Sequence, residues 1–237
     1  MLEPHLLLKL SIVLMIFFIV GAAGLYVVNR KKNAHDKREA WLKYILYLLI
    51  VWPMLFAFQW TDWGWWIIGA IAIGGAIELV LISKSKPLLR WTSLLMYTGL
   101  MVPLIWRNND QTPLVYLFFG VVIFDGFSQL IGQLLGGMKI LPLISPKKTL
   151  SGLIGGIVVV QASFMFLFEI SPIKSFPLLC VAPFVGDVLS SIMKRQAGVK
   201  DFNNLIPGHG GLLDRFDSFL FTLTVWSVMD WIQGGVL

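Results

Sequence analysis

Long apolar runs separated by short polar segments set the plan of this chain. Eight of them approach the ~20 apolar residues that a membrane-spanning helix needs. They cover roughly 6–28, 44–60, 64–82, 91–106, 113–135, 151–170, 176–193 and 217–235. The pattern predicts an all-α fold: a polytopic transmembrane helical bundle of about eight spans with a polar cavity facing the cytoplasm. The seventh run is the weakest, because Pro183, Gly186 and Asp187 interrupt it. Such interruptions are tolerated where a helix lines a protein cavity and not lipid. Trp60, Trp63, Trp65 and Trp66 cluster at one span boundary, as an interfacial aromatic belt would. The first run ends in Asn29-Arg30-Lys31-Lys32, whereas a secretory signal carries its bases ahead of a shorter core, so no cleavable signal is expected.

Composition narrows the class. With 57% hydrophobic and 14% charged residues and a mean hydropathy of +0.79, the chain is too apolar for a soluble globular domain. The lone Cys180 excludes an intrachain disulfide framework and a cysteine metal cluster, and reads as a small buried hydrophobe. A net charge of +6 would suit nucleic acid, but the bases sit between apolar spans, where they orient the chain and meet anionic lipid. No nucleic-acid partner is expected. Of the 19 Lys and Arg, all but Lys9, Arg107 and Lys174 follow spans one, three, five and seven. The positive-inside rule then places those loops in the cytoplasm and both termini outside, in keeping with an even number of spans. The stretch 29–43 reads as a solvated connector with a lesser role in holding anionic lipid.

Ser191 to Asp217 breaks the apolar pattern most sharply. It holds four cations (Lys194, Arg195, Lys200, Arg215), three carboxylates (Asp201, Asp214, Asp217), His209 and a Gly-rich turn. Charge concentrated beside a bilayer marks a functional site. Acids that hold a divalent cation, with bases that neutralise the remaining oxygens, suit phosphate. Upstream, Asp187, Ser190, Ser191 and Lys194 follow i, i+3, i+4, i+7, so a helix puts them on one face. Pro207-Gly208-His209-Gly210-Gly211 cannot be a helix interior, and its glycines allow successive amides to point at an anion. The helix that follows offers its N-terminal dipole to phosphate. Asp214 and Asp217 lie three apart on it and would repel without a cation between them, which is the case for Mg²⁺. Arg215 points elsewhere, toward Asp201 or substrate phosphate.

Two further groups precede this region. Asp125, Ser128, Gln129 and Gly132 form a polar stripe at helical spacing in the fifth span. Ile144-Ser145-Pro146-Lys147-Lys148-Thr149 offers two cations at the membrane surface, with Ser145 or Thr149 able to cap the next helix. Glu78, Glu169 and Asp230 sit near span ends, within reach of the interface, and read as structural acids.

Ser191-x-Met193-Lys194-Arg195-x4-Lys200-Asp201 followed by Ile206-Pro207-x-His209-Gly210-Gly211-Leu212-x-Asp214-Arg215-Phe216-Asp217 closely resembles the signature of the phosphatidate cytidylyltransferase (CDP-diacylglycerol synthase) family. Ser145-Pro146-Lys147-Lys148-Thr149 and the Asp125 stripe are similar to that family's other two motifs, in the right order. The resemblance covers about 120–235, and the first four spans match only as hydrophobic helices. The chain departs from the family pattern at Asn203, where a small residue is usual, at Leu150-Ser151-Gly152, where Trp-Glu-Gly is usual, and in lacking an Ala-Tyr beside Asp125. It divides accordingly into N-terminal helices, 1–110, and a catalytic transmembrane region, 111–237.

The resemblance implies an integral enzyme of the inner (plasma) membrane, a homodimer, that condenses CTP with phosphatidate in a site opening sideways to the bilayer. It implies metal ligation by Asp187 and Asp214, then Asp217 and Asp201, with Mg²⁺ and a second, monovalent cation. Lys194, Arg195, Lys200 and Arg215 would hold phosphates, Lys147 and Lys148 the triphosphate or leaving pyrophosphate, and His209, Gly210 and Gly211 the phosphate cradle. The alternatives are a CTP-dependent polyprenol kinase, a cytidylyltransferase for another lipid phosphate, and a non-catalytic transporter or scaffold.

Overall fold

The computed structural model describes residues 4–30, 32–59, 63–83, 87–105, 112–170, 176–203 and 210–232. The apolar runs become eight α-helices: α1 (Pro4–Asn29), α2 (Ala34–Gln59), α3 (Trp63–Ile82), α4 (Pro87–Ile105), α5 (Thr112–Leu135), α6 (Leu150–Phe168), α7 (Ala182–Ala197) and α8 (Leu213–Ile232). Among the described residues, six segments are long and apolar enough to cross a membrane: α1, α2, α3, α5, α6 and the unit Pro177–Ala197 that contains α7. The chain is a multi-pass helical membrane protein. α8, 20 residues long, carries Asp214, Arg215, Asp217 and Asp230 and falls short of that apolarity.

Three local expectations are corrected. The connector 29–43 is mostly helix, because α2 starts at Ala34, five residues after the end of α1. The basic turn before α6 is a β-hairpin, β1 (Lys139–Leu141) against β2 (Ser145–Thr149), antiparallel, with Lys139 opposite Thr149 and Leu141 opposite Ser145. Thr149 then caps α6, its side chain accepting the Gly152 N–H at 3.2 Å. The seventh span is continuous despite Pro183 and Gly186. A π-helical turn at Pro177–Val181, closed by the Ala182 N–H to the Pro177 carbonyl, leads directly into α7. That wider turn lets the chain pass two prolines without breaking the span.

α5 is the axis of the bundle. Leu114, Val115, Phe119 and Ile123 are almost completely buried along it, and one apolar core joins its residues to those of α1, α2, α3, α6 and α8. Its polar stripe is divided between two neighbours. Ser128 and Gly132 pack against α6, where a Cβ at Gly156 would overlap the Ser128 hydroxyl and lie 3.0 Å from the Phe124 carbonyl oxygen. Only the Asp125 end of the stripe faces the other acids. Contact this close between helix backbones requires a residue without a side chain. Gly156→Val is therefore expected to destabilise the protein by ~1–3 kcal/mol through overpacking. The thermal unfolding midpoint in detergent checks this; an unchanged midpoint would mean that α5 and α6 separate freely.

Candidate active site

Asp187 lies mid-way along α7, and its alignment with Ser191 and Lys194 holds. The Ser191 hydroxyl donates to Asp187 Oδ1 at 3.4 Å. The hairpin brings a cation to the same carboxylate: Lys148 Nζ lies 2.7 Å from Asp187 Oδ2 and 4.6 Å from the centre of the Phe184 ring. Alternation along a strand sends the neighbouring Lys147 to the exposed face, so the two lysines differ in role. Arg195 fixes the hairpin to the end of α7. Its Nε donates to the Ile144 carbonyl at 3.2 Å and its Nη1 to the Val199 carbonyl at 3.1 Å. Ser151, where the family usually has Glu, donates to the Gly136 carbonyl and lies 3.1 Å from the Thr149 hydroxyl, closing the base of the hairpin.

Asp214 is the hub of the second cluster. Its Oδ1 lies 2.7 Å from Lys194 Nζ, and its Oδ2 accepts the Phe202 N–H at 2.7 Å and the Gly211 N–H at 2.8 Å. With its side chain only 2% exposed, this carboxylate ties the signature loop to α7. Gly210 adopts the left-handed φ of +80° that its position in the turn anticipates. His209, Pro207 and Gly208 lie outside the described residues, as does Ile206.

Asp217 belongs to a different group. Its Oδ1 accepts the Ser218 N–H at 2.8 Å, and its carboxylate lies within electrostatic reach of Asp187, which in turn reaches Asp125 on α5. Ser190, buried beside Asp217, has a hydroxyl without a hydrogen-bond partner of ordinary geometry among the described residues. Asp214 and Asp217, expected to share one cation, thus have different partners in this structure. At the first turn of α8, Asp214 finds a lysine and two free N–H groups and folds back onto them, while Asp217 faces α7 and α5. Asp187, Asp201, Asp214 and Asp217 do not draw three ligand atoms together; among the described residues only exposed His35, Asp36 and Glu39 do so. Arg215 is exposed and forms no ion pair with Asp201; it lies within electrostatic reach of Tyr47 on α2.

Glu78 is the residue that spacing could not find. Expected near the interface, it is 4% exposed, and its carboxylate accepts the Leu212 and Leu213 N–H groups, each at 2.8 Å. The N-terminus of α8, read as a seat for phosphate, is therefore filled by the protein's own carboxylate. A Cβ at Gly211 would stand 2.5 Å from both Glu78 oxygens, so the glycine is what allows that approach.

A membrane-spanning bundle that sets Asp125, Asp187, Asp214 and Asp217 beside Lys148 and Lys194 is a multi-pass membrane protein with a paired acid–base site inside its bundle. The Cytidylyltransferase family profile matches residues 4–232, and the chain belongs to that family. It is similar to phosphatidate cytidylyltransferase of Bacillus subtilis, 43% identical over 128 residues, which are 49% of this chain and 48% of that one. The Rickettsia bellii phosphatidate cytidylyltransferase is 34% identical over 208 residues, 78% of this chain and 80% of the relative. That of Aquifex aeolicus is 37% identical over 140 residues, covering 57% and 54%. Matched segments thus span about half the length of most of these curated relatives.

Proposed function

We propose that this protein condenses CTP with phosphatidate to give CDP-diacylglycerol and pyrophosphate. The observation that carries the reading is the pair of lysine–aspartate contacts, Lys148–Asp187 and Lys194–Asp214, set beside Asp125 and Asp217. Membership of the family and the names of the relatives support the same reaction. A phosphate oxygen of phosphatidate attacks the α-phosphorus of CTP, and the bridging bond to the β-phosphorus breaks as pyrophosphate leaves. No covalent enzyme intermediate is required, so positioning and charge neutralisation carry the catalysis.

The lysines hold phosphate oxygens in this scheme. Each now neutralises an aspartate at 2.7 Å, and a charge-assisted bond to phosphate replaces one to carboxylate at similar length. The donor set is all-oxygen, as Mg²⁺ prefers, with carboxylates from three helices within electrostatic reach of one another in a part-buried site where like charges repel. Asp187 and Asp217 would hold the ion and Asp125 would back them, while Asp214, saturated by one lysine and two amides, positions the signature loop. An ion held there would supply neutralisation of the triphosphate oxygens. Asp125 lies ten residues from the end of α5, ~15 Å along the helix, which suits a site reached both from water and from lipid. The hairpin and the ends of α5 and α7 then face the cytoplasm, both termini lie outside, and the membrane is the inner one, in keeping with the loop charges.

Purified protein in detergent, given phosphatidate, Mg²⁺ and CTP labelled at the α-phosphate, tests the reaction. Label in lipid with equimolar pyrophosphate is the expected result. CDP formed without labelled lipid would assign a kinase instead, and no turnover with any lipid phosphate would overturn the enzyme reading.

A further inference from the structure

The end of α1 and the first turns of α2 line a cavity away from the aspartates. Its volume is about 200 Å³, and Tyr26, Asn29, Arg30, Lys37 and Trp41 line it. A single water needs only ~10–15 Å³ measured this way, so the space admits a polar group of several atoms.

Asn29 gives the first indication of what fills it. The residue is 3% exposed, yet neither its Nδ2 nor its Oδ1 has a hydrogen-bond partner among the described residues. Buried amides in folded proteins are paired, because an unpaired one keeps its full desolvation cost. The cations give the second. Nearby acids are already engaged, Asp36 beside His35 and Glu39 with Lys43, and among the described residues neither Arg30 nor Lys37 has a carboxylate in ion-pair range. Arg30 rests instead over the Tyr26 ring at 5.3 Å, and Lys37 is half-buried. The walls give the third. Tyr26 and Trp41 stand where a membrane-spanning helix ends, the level at which amphipathic rings meet lipid head groups.

An unpaired donor, two uncompensated cations and two aromatic walls at the lipid–water boundary together select an anion that comes from the bilayer. We propose that this pocket binds the phosphate of an anionic phospholipid head group. Arg30 and Lys37 neutralise the phosphodiester, the Asn29 amide donates to one of its oxygens, and Tyr26 and Trp41 flank the head group. The site is separate from the reaction assigned above and does not depend on it. It lies beside the signature segment all the same, since Lys200 is within electrostatic reach of Glu39 on the same turns of α2.

The test is native mass spectrometry of the full chain, moved from phosphatidylcholine nanodiscs containing phosphatidylglycerol into mild detergent. The wild-type protein is expected to retain one phosphatidylglycerol. The Arg30→Gln/Lys37→Gln variant, which loses both charge-assisted contacts, should lower the retained fraction by about tenfold or more. Asn29→Leu, which keeps both cations, should lower it as well, whereas Arg90→Gln/Lys139→Gln should leave it unchanged. Equal retention in all variants, or equal loss in the Arg90/Lys139 control, would overturn the assignment in favour of general surface charge. Displacement of the retained lipid by millimolar inorganic phosphate or CMP would overturn it in favour of a water-soluble phosphate. The thermal midpoint of each variant shows whether it is folded, and should Asn29→Leu unfold, the Arg30→Gln/Lys37→Gln variant decides alone.

Discussion

Asp187→Asn is expected to cut transfer of label from CTP to lipid by about 10²–10³-fold, the scale seen when one preorganised charge-stabilising group is lost. The fold should hold. Asp187 is more than a third exposed, so losing its pair with Lys148 costs at most about 1 kcal/mol, offset in part by relief from Asp125 and Asp217. Asp214→Asn should behave differently. Its carboxylate is buried against Lys194 and two backbone amides, and breaking a buried pair by removing one partner costs ~3–5 kcal/mol. Activity and thermal stability should fall together there, and activity alone at Asp187. Both variants assayed for turnover and unfolding midpoint separate the roles. Turnover close to wild type in Asp187→Asn would remove Asp187 from the catalytic centre, and an unaltered midpoint in Asp214→Asn would remove Asp214 as the anchor of the loop.

Glu78→Ala is expected to damage a site that Glu78 does not line. The substitution strands the Leu212 and Leu213 N–H groups in a buried place, at ~1–3 kcal/mol for each unsatisfied donor. It also leaves the positive end of α8 uncompensated. That first turn carries Asp214, and Asp217 follows one turn later, so turnover should drop with stability. A small carboxylate can take the vacated place, so millimolar formate should restore part of both in Glu78→Ala and do nothing for the wild type. The readouts are the unfolding midpoint and lipid labelling with and without formate. A variant as stable as wild type, or one indifferent to formate while chloride restores it, would show that no carboxylate is needed at that helix end.

Much of this protein can be read along the chain, for a physical reason. Lipid offers no partner to a backbone amide, so each spanning segment must be helical and apolar, and a run of ~20 such residues declares itself locally. All eight runs became helices, and the i, i+4 alignment of Asp187 with Ser191 survived as a hydrogen bond. The hairpin at 139–149 escaped notice because strands of three and five residues, one of them Ser-Pro-Lys-Lys-Thr, carry no alternation of apolar and polar residues.

Partner choice was not legible in this way. Glu78 and Leu213 are 135 residues apart, and nothing near either one in sequence distinguishes a carboxylate that reaches the interface from one that caps a distant helix. Spacing put Asp214 and Asp217 on one helix face, but the surroundings of each were set by Lys194 on α7 and by Asp125 on α5. Lys147 and Lys148 are chemically identical neighbours, and the pleat of β2 alone sends one to Asp187 and the other to solvent. Sequence by itself determined the helices, the membrane habit and the kinds of charged group available, because hydrophobicity and helical period act over a few turns. Tertiary structure decided which charge neutralises which, because the energy of an ion pair depends on distance and burial between segments that the chain order leaves free.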